Sequence, residues 1–159
     1  MSPPRYTVPP MDRGDVVEDF ALPDETGTLR RLSELLTNGP VVLFFYPAAM
    51  TMGCTKESCH FRDLAAEFAA AGAQRVGISR DSVDKQNQFS EKHTFDYPLL
   101  SDADSNVASA MGVARKTGLP KRVTFVIDQD RRVIEVIQSE IRMNVHADRA
   151  LEALRLMQD

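Results

Sequence analysis

The chain has 159 residues, of which 43% are hydrophobic and 26% are charged. This length suffices for one domain with a complete core and is too short for two ordinary domains, and the composition excludes disordered and fibrous classes. A net charge of -4 leaves no broad basic surface, so neither nucleic acid nor an anionic membrane is an expected partner.

The first residues predict the domain boundary and the location. Four prolines within residues 1–10 indicate an extended, flexible arm, and residues 11–159 are expected to form the single domain. We find no apolar core of a secretory signal and no run long enough to cross a membrane, which predicts a cytoplasmic location. In a reducing compartment the only two cysteines, Cys54 and Cys59, are not expected to form a permanent structural bridge.

The hydrophobic pattern of the first half predicts strands alternating with helices. A β-hairpin over residues 20–31 is followed by a short helix that Ser33 caps and that Gly39 ends in a left-handed conformation. Residues 41–46 are apolar on both faces, as expected of a central strand covered by helices on each side. The next helix is expected over residues 54–71.

The second half continues the alternation and ends with a hairpin and a helix. The predicted elements are a strand at 75–79, a polar helix capped by Asp81 or Ser82, an extended piece at 98–100, a short helix at 102–111, a hairpin of 123–127 with 133–137, and a last helix capped by Asn144. The buried side of that last helix is expected to carry Ala147, Ala150, Leu151, Leu154 and Met157. This order predicts an α/β fold in which helices flank a central mixed β-sheet.

The most informative stretch lies where the central strand meets the next helix. Pro47 ends the strand, and Cys54 follows at the helix start, where backbone amides and the helix dipole can stabilise a thiolate. Thr51 can place a hydroxyl near the sulfur, and Gly53 leaves room for a small substrate. We therefore predict that Cys54 is a nucleophile; the alternative is an ordinary buried thiol at a strand-to-helix turn.

The spacing of the two cysteines predicts a conformational switch. Helical geometry puts Cys54 on the core-facing side with Phe61, whereas Cys59 is rotated by about 140° onto the polar side. The Cα separation of roughly 8.6 Å exceeds the limit of about 7 Å for a disulfide. If the two sulfurs bond, the first turns of the helix must unwind, unlike those around a thioredoxin-type Cys-x-x-Cys pair.

Several motifs resemble those of the peroxiredoxins. The pattern Pro47-x3-Thr51-x2-Cys54 resembles their active-site signature, and a second cysteine five residues on resembles the bacterioferritin-comigratory or Q-type subgroup. The run that begins at Arg122, RVTFVID, is similar to the distal motif that supplies an arginine to the site. The resemblance covers nearly the whole chain and implies a thioredoxin-like fold of the peroxiredoxin variety with an N-terminal β-hairpin, and no cofactor or metal.

The resemblance implies thiol-dependent peroxidase activity on hydrogen peroxide and organic hydroperoxides. Cys54 would be oxidised to a sulfenic acid, and Cys59 would resolve it as an intramolecular disulfide that thioredoxin or a similar dithiol reduces. An intramolecular pair needs no partner subunit, so a monomer or weak homodimer is expected. The alternative from another class is a redox-sensing interaction domain, in which oxidation of Cys54 and Cys59 switches a protein partner.

Four further residues acquire roles from the resemblance. Thr51 would hydrogen-bond the thiolate and the peroxide, and Arg122 would stabilise the thiolate and orient the leaving oxygen. Pro47 would shield the pocket from water, and Glu57 would help to hold the arginine. For Glu57 the alternative is a first-turn residue that the helix dipole favours, and for Cys59 it is an inert thiol on the helix surface.

The remaining candidates have simpler explanations. Met50 and Met52 are expected to form an apolar rim around the pocket. His60 stands beside a cysteine but lacks the paired ligand spacing of zinc sites, so no metal is predicted. His93 and His146 are expected at the surface or as capping residues.

Overall fold

The observed elements follow the predicted alternation, and the computed structural model describes residues 9–158. The strands are β1 (Ala21–Pro23), β2 (Leu29–Arg31), β3 (Val41–Phe45), β4 (Gln74–Ser79), β5 (Leu99–Ser101), β6 (Val123–Ile127) and β7 (Val133–Gln138). The α-helices are α1 (Leu32–Leu35), α2 (Met52–Asp63), α3 (Ala65–Ala70), α4 (Val83–His93), α5 (Asn106–Ala110) and α6 (Asn144–Met157). A 3-10 turn, Leu36–Asn38, follows α1. No helix in this described part of the chain has both the length and the apolar character of a membrane span.

Strand β3 lies at the centre of a five-stranded sheet with the order β5-β4-β3-β6-β7. Strand β4 runs parallel to β3 and β5 runs parallel to β4, whereas β6 is antiparallel to β3 and β7 to β6. All five residues of β3 are buried because both faces of the sheet are covered. Strands β1 and β2 form a separate antiparallel hairpin. The predicted mixed sheet, flanking helices and N-terminal hairpin are therefore confirmed.

The two faces of the sheet support two separate hydrophobic clusters. Successive side chains of a strand point to opposite faces, so Leu43 and Phe45 join one cluster and Phe44 joins the other. The Phe44 cluster also contains Cys54 and Phe61 of α2. The rings of Phe44 and Phe61 stack with their centroids 4.1 Å apart. This stacking fixes α2, and with it Cys54, against the centre of the sheet.

Two of the predicted helix caps are wrong, and one is confirmed. Ser33 lies inside α1, where its backbone N–H and its hydroxyl both donate to the Asp19 carboxylate. Asn144 is the first residue of α6, and no side-chain cap precedes it. Ser82, one of two candidates, does cap α4 by accepting a hydrogen bond from the Lys85 backbone N–H.

The helix predicted over residues 54–71 begins earlier and is interrupted. Helix α2 starts at Met52, and Leu64 (φ -97°, ψ 21°) separates it from α3. The pattern hid this break because Phe61 and Phe68, on either side of it, are both fully buried. Gly72 ends the segment with φ 71°, as predicted. The earlier start makes Cys54 the third helical residue.

Two other helix predictions need smaller corrections. The helix predicted over 102–111 is confined to α5, because Asp102 lies before it and accepts hydrogen bonds from the backbone N–H groups of Val107 and Ala108. On α6, four of the five residues predicted on the inner side are buried. The fifth, Met157, is 43% exposed because it is the last helical residue.

The arm predicted for residues 1–10 falls mostly outside the described residues, which begin at Pro9. The backbone of Pro9 and Pro10 lies against Gly112, which leaves no space there for a Cβ. The Met11 backbone N–H then donates to the Met111 carbonyl oxygen at 3.0 Å. The described chain is thus attached to the core from Pro9 onward.

Gly39 connects the 3-10 turn to β3 in a conformation that other residues rarely adopt. Its φ of 129° is positive, but its ψ of 178° lies outside the left-handed helical region that the sequence predicted. A Cβ at this position would also overlap the carbonyl oxygen of Gly72. Backbone conformation and close packing therefore both require glycine here.

Gly39→Ala is expected to lower the free energy of unfolding by about 2–4 kcal/mol, measured by urea unfolding under reducing conditions. Gly27→Ala is the matched control, since its φ is also positive at 83° but nothing lies within 4 Å of the added Cβ. This control isolates backbone strain and is expected to lose about 1 kcal/mol. Equal losses in the two variants would contradict the overlap with Gly72.

Candidate active site

Cys54 lies in the first turn of α2, on the face that packs against the sheet. Its side chain is fully buried, as is that of Phe61 seven residues later, which confirms that both point to the same side of the helix. The backbone N–H groups at the helix start lack helical partners, and they favour a negative charge nearby. Both cysteines are free thiols in this structure.

Arg122 brings a positive charge to the Cys54 sulfur. It directly precedes β6, which pairs with β3 at the centre of the sheet. Its Nη2 donates a hydrogen bond to Cys54 Sγ at 3.2 Å, and the residue is only 6% exposed. An ionic contact in such a buried place is weakly screened by water and salt. The fold thus joins two predicted site residues that lie far apart in the sequence.

Glu57 binds the other terminal nitrogen of the same guanidinium. It follows Cys54 by three residues, on the same side of α2, and is fully buried. Its Oε1 accepts a hydrogen bond from Arg122 Nη1 at 2.8 Å. Burial raises the pKa of Glu57 to about 8, although Arg122 acts in the opposite direction. This inward placement excludes the alternative of a first-turn residue held only by the helix dipole.

Pro47 and Thr51 lie in the loop that joins β3 to α2, and the hydrogen bond of Thr51 differs from expectation. Pro47 is half-buried directly after the strand. The Thr51 hydroxyl donates to the Ala48 carbonyl oxygen at 2.8 Å, within the loop, rather than to Cys54. Its single hydrogen is therefore engaged in the loop, because a hydroxyl donates only one hydrogen bond.

Asp81 holds this loop in place, a role that sequence reasoning missed. Its Oδ2 accepts hydrogen bonds from the Ala49 backbone N–H and from the Ser79 hydroxyl, both at 2.7 Å. Met50, the next loop residue, has a φ of 70°, which is strained for a residue other than glycine. The pattern Asp81-Ser82 is typical of a helix cap, so it contained no sign of a contact with a distant loop.

Methionine side chains surround the start of α2. Met50 and Met52 are 40% and 89% exposed, which agrees with an apolar rim. A Cβ on Gly53 would lie 3.3 Å from Arg122 Nη2 and 3.6 Å from Met143 Sδ. The space at Gly53 is therefore taken up by the arginine that contacts Cys54, and a larger residue there would press on the guanidinium.

Cys59 does not lie on the polar side of the helix as predicted. It is half-buried and packs against the same hydrophobic cluster as Cys54. Burial raises the pKa of the Cys59 thiol, so this group stays protonated while the helix is folded. The prediction for Cys59 used only its rotation around the helix axis. Whether that side of the helix is exposed depends on the neighbouring elements that pack against it.

The second half of α2 is tied to the rest of the fold by two side chains. The Tyr97 hydroxyl donates to the Ser58 carbonyl oxygen at 2.7 Å. Arg75 Nη1 donates to the Phe61 carbonyl oxygen at 2.9 Å. Both cysteines belong to one uninterrupted helix, so their sulfurs cannot bond while it stays folded.

The histidines differ from prediction at one position. His146 is fully buried and lies 3.5 Å from Glu57. The only sign of this in the sequence was its spacing of four and eight residues from the buried Ala150 and Leu154. His60 Nε2 lies 2.8 Å from the Asp148 carboxylate. Among residues 9–158, no three histidine, cysteine or acidic side chains are grouped closely enough to hold a metal ion.

Together these contacts describe a site that can hold a thiolate and act on a small electrophile. Arg122 donates a hydrogen bond to the Cys54 sulfur, and Cys54 belongs to the first turn of α2, where backbone N–H groups lack helical partners. The same donors can stabilise negative charge that moves from the sulfur to a substrate oxygen. The site therefore suits nucleophilic attack by sulfur on an oxygen atom.

Comparison with known proteins agrees with this chemistry. The model of the AhpC/TSA family matches residues 13–136. A Mycobacterium tuberculosis peroxiredoxin is 64% identical over 149 residues, which cover 91% of this chain and 97% of that protein. The peroxiredoxin Bcp of Escherichia coli K12 is 35% identical over 153 residues, which cover 92% of this chain and 97% of that protein.

Solved structures extend the agreement to the fold. The crystal structure of peroxidoxin BcpB from Mycobacterium tuberculosis has a TM-score of 0.91 and 63% identity, covering 94% of this chain and 99% of that one. The bacterioferritin comigratory protein of Xanthomonas campestris, described for its alkyl peroxide reduction activity, has a TM-score of 0.82 and 31% identity, covering 91% of this chain and all of that one. The chain therefore belongs to the AhpC/TSA family of peroxiredoxins, with the thioredoxin-like fold and the bacterioferritin-comigratory or Q-type likeness that its motifs predicted.

Proposed function

We propose that the chain is a thiol-dependent peroxidase that reduces hydrogen peroxide and organic hydroperoxides. The observation that carries the proposal is the buried 3.2 Å hydrogen bond from Arg122 Nη2 to Cys54 Sγ. Membership of the peroxiredoxin family supports a peroxide substrate and a thiol reductant. The alkyl peroxide reduction activity of the Xanthomonas campestris relative supports the inclusion of organic hydroperoxides.

The first step is oxidation of Cys54. Its thiolate attacks the terminal peroxide oxygen, so that an S–O bond forms while the O–O bond breaks. The leaving oxygen takes a proton and departs as water or an alcohol, and Cys54 becomes a sulfenic acid. Arg122 stabilises the charge that moves onto the leaving oxygen. Thr51 turns its hydroxyl from the loop to the peroxide, and Pro47 keeps bulk water from the sulfur.

The second step joins the two cysteines. The Cys59 thiol attacks the sulfenic sulfur of Cys54, a disulfide forms, and water leaves. The anchors at Ser58 and Phe61 hold the second half of α2, so the turns between Thr51 and Ser58 are the ones that open. Thioredoxin or a similar dithiol then reduces the disulfide by thiol exchange.

The proposed cycle is complete within one chain. Both cysteines lie on α2, so the disulfide needs no second subunit, and we propose a monomer or weak homodimer. We also propose a cytoplasmic location, on the basis of the sequence. The reducing environment of the cytoplasm would keep both thiols reduced. The alternative of a redox-sensing domain makes a different prediction, because peroxide turnover would then be no faster than that of a free thiol.

Replacement of each cysteine separates the two steps. Cys54→Ser is expected to abolish peroxide consumption coupled to thioredoxin. Cys59→Ser is expected to consume one equivalent of peroxide and then stall as a sulfenic acid or oxidise further. The measurement is peroxide loss with and without thioredoxin, with wild-type protein as the reference. Undiminished turnover by Cys59→Ser would contradict its role as the resolving thiol.

Removal of the positive charge tests the contact that carries the proposal. Arg122→Ala is expected to slow the oxidation of Cys54 by about a hundredfold, because the thiolate and the leaving oxygen both lose a charged donor. Arg149→Ala is the matched control, since it removes one arginine from an exposed position on α6. Rapid-quench mass spectrometry of Cys54 oxidation measures both rates. Similar rates for the two variants would remove Arg122 from the mechanism.

A further inference from the structure

His146 is a buried titratable side chain that the proposed reaction does not use. It is the third residue of α6 and is fully buried. Its Nε2 lies 2.9 Å from the Ser139 carbonyl oxygen. A carbonyl oxygen only accepts, so this contact keeps a hydrogen on Nε2 and leaves Nδ1 as the nitrogen that gains or loses a proton.

The Nδ1 atom of His146 faces two oxygen atoms. Thr124 Oγ1 lies at 2.8 Å. A neutral Nδ1 has one lone pair, which a hydrogen from Thr124 and a hydrogen from Glu57 would share. Glu57 Oε2 lies at 3.5 Å and, although buried, has no hydrogen-bond partner among the described residues. An ionised Oε2 and the lone pair of Nδ1 repel each other, whereas a proton on either atom makes the contact attractive. The geometry therefore provides a place for one proton between Glu57 and His146.

The charges of the buried site also favour the presence of one proton on the Glu57–His146 pair. When Cys54 is a thiolate, its negative charge and the positive charge of Arg122 balance. An ionised Glu57 beside a neutral His146 would add one uncompensated negative charge to a site shielded from water, which is unfavourable. One proton held by Glu57 and His146 restores the balance.

Burial decides which member of the pair holds the proton. It raises the pKa of Glu57 to about 8 and lowers the pKa of His146, because both groups are less stable when charged in the interior. At neutral pH the proton therefore resides on Glu57 Oε2, and the neutral imidazole is its acceptor. The Oε1 atom remains available to accept from Arg122.

We propose that His146 is a positioning residue of the thiol site: its neutral ring accepts a hydrogen bond from protonated Glu57, keeps Glu57 neutral, and leaves the charge of Arg122 to the Cys54 thiolate. This inference rests on the proposed function, because it assigns His146 a part in the oxidation of Cys54 by peroxide. His146 does not touch the sulfur and acts only through Glu57 and Arg122.

One more charged group influences the pair. Glu140, in the segment between β7 and α6, accepts hydrogen bonds from the Arg122 backbone N–H and from Arg115 Nη2. Its negative charge favours the protonated forms of both Glu57 and His146, whereas Arg122 opposes them. The groups that surround the pair are thus Cys54 on α2, Arg122 and Thr124 at β6, and Glu140 after β7.

The pair predicts how oxidation of Cys54 depends on pH. When the shared proton is lost at alkaline pH, the ionised Glu57 competes with the thiolate for Arg122. The rate constant for oxidation of Cys54 is therefore expected to decline above about pH 8, where Glu57 loses its proton. Without an acceptor at position 146, Glu57 ionises more easily, and this decline moves to lower pH.

His146→Leu tests the proposal, since it removes the acceptor for the Glu57 hydrogen and keeps a buried side chain of similar size. We expect Cys54 oxidation to be about tenfold slower than in wild type at neutral pH, about twofold slower at pH 6 and nearly equal to it near pH 5, because only the alkaline decline moves. A general structural defect would slow the reaction equally at every pH. The measurement is rapid-quench mass spectrometry of Cys54 oxidation by hydrogen peroxide across this pH range.

His93→Leu is the matched control, because His93 is also helical but packs on the Phe89 and Phe95 rings. It should retain the wild-type pH profile. Wild-type protein that reacts no faster than a free thiol would contradict the proposed function. If the wild type is reactive and His146→Leu has the same pH profile, the role of His146 alone is overturned.

A second measurement decides the matter if His146→Leu does not fold. Nitrogen NMR of labelled histidine in the reduced wild-type chain reports which ring nitrogen of His146 carries hydrogen. The proposal requires a neutral ring at neutral pH with hydrogen on Nε2 and none on Nδ1. Hydrogen on Nδ1, in a neutral or a charged ring, would overturn it.

Discussion

The hydrogen bond between the Arg122 guanidinium and the Cys54 sulfur is the interaction on which the rest of the site depends. It forms only when α2 packs on the central sheet and the start of β6 lies beside β3. Because the contact is buried, the guanidinium also needs an acceptor for its second terminal nitrogen, and Glu57 supplies it. The mixed sheet thus brings Cys54 and Arg122, which are distant in the sequence, into contact.

The same helix imposes the opposite constraint on the second thiol. While α2 is folded, Cys54 is held beside Arg122, and Cys59 is half-buried a turn and a half away. Oxidation must therefore be coupled to local unfolding, and the Tyr97 and Arg75 anchors confine that unfolding to the first turns. Reaction site and conformational switch occupy the same few residues.

Local features of the sequence predicted the sheet, both hairpins and the burial of Cys54, because periodicity and turn residues record local conformation. The pairing of Arg122 with Cys54 was available only from the family resemblance, since residues alone do not reveal contacts between distant segments. The break at Leu64 was hidden because the apolar spacing continues across it. The loop bond of Thr51 and the burial of His146 depend on tertiary neighbours that no local pattern contains.

The most direct test is whether peroxide links Cys54 to Cys59 within one chain. Trypsin cleaves after Lys56, between the two cysteines, so the linked form appears as peptides 32–56 and 57–62 joined by a disulfide. After one equivalent of hydrogen peroxide, mass spectrometry should show this pair of peptides and an intact monomer two hydrogen atoms lighter than the reduced chain. Cysteines that remain unlinked, or that link two chains, would contradict a switch built into α2.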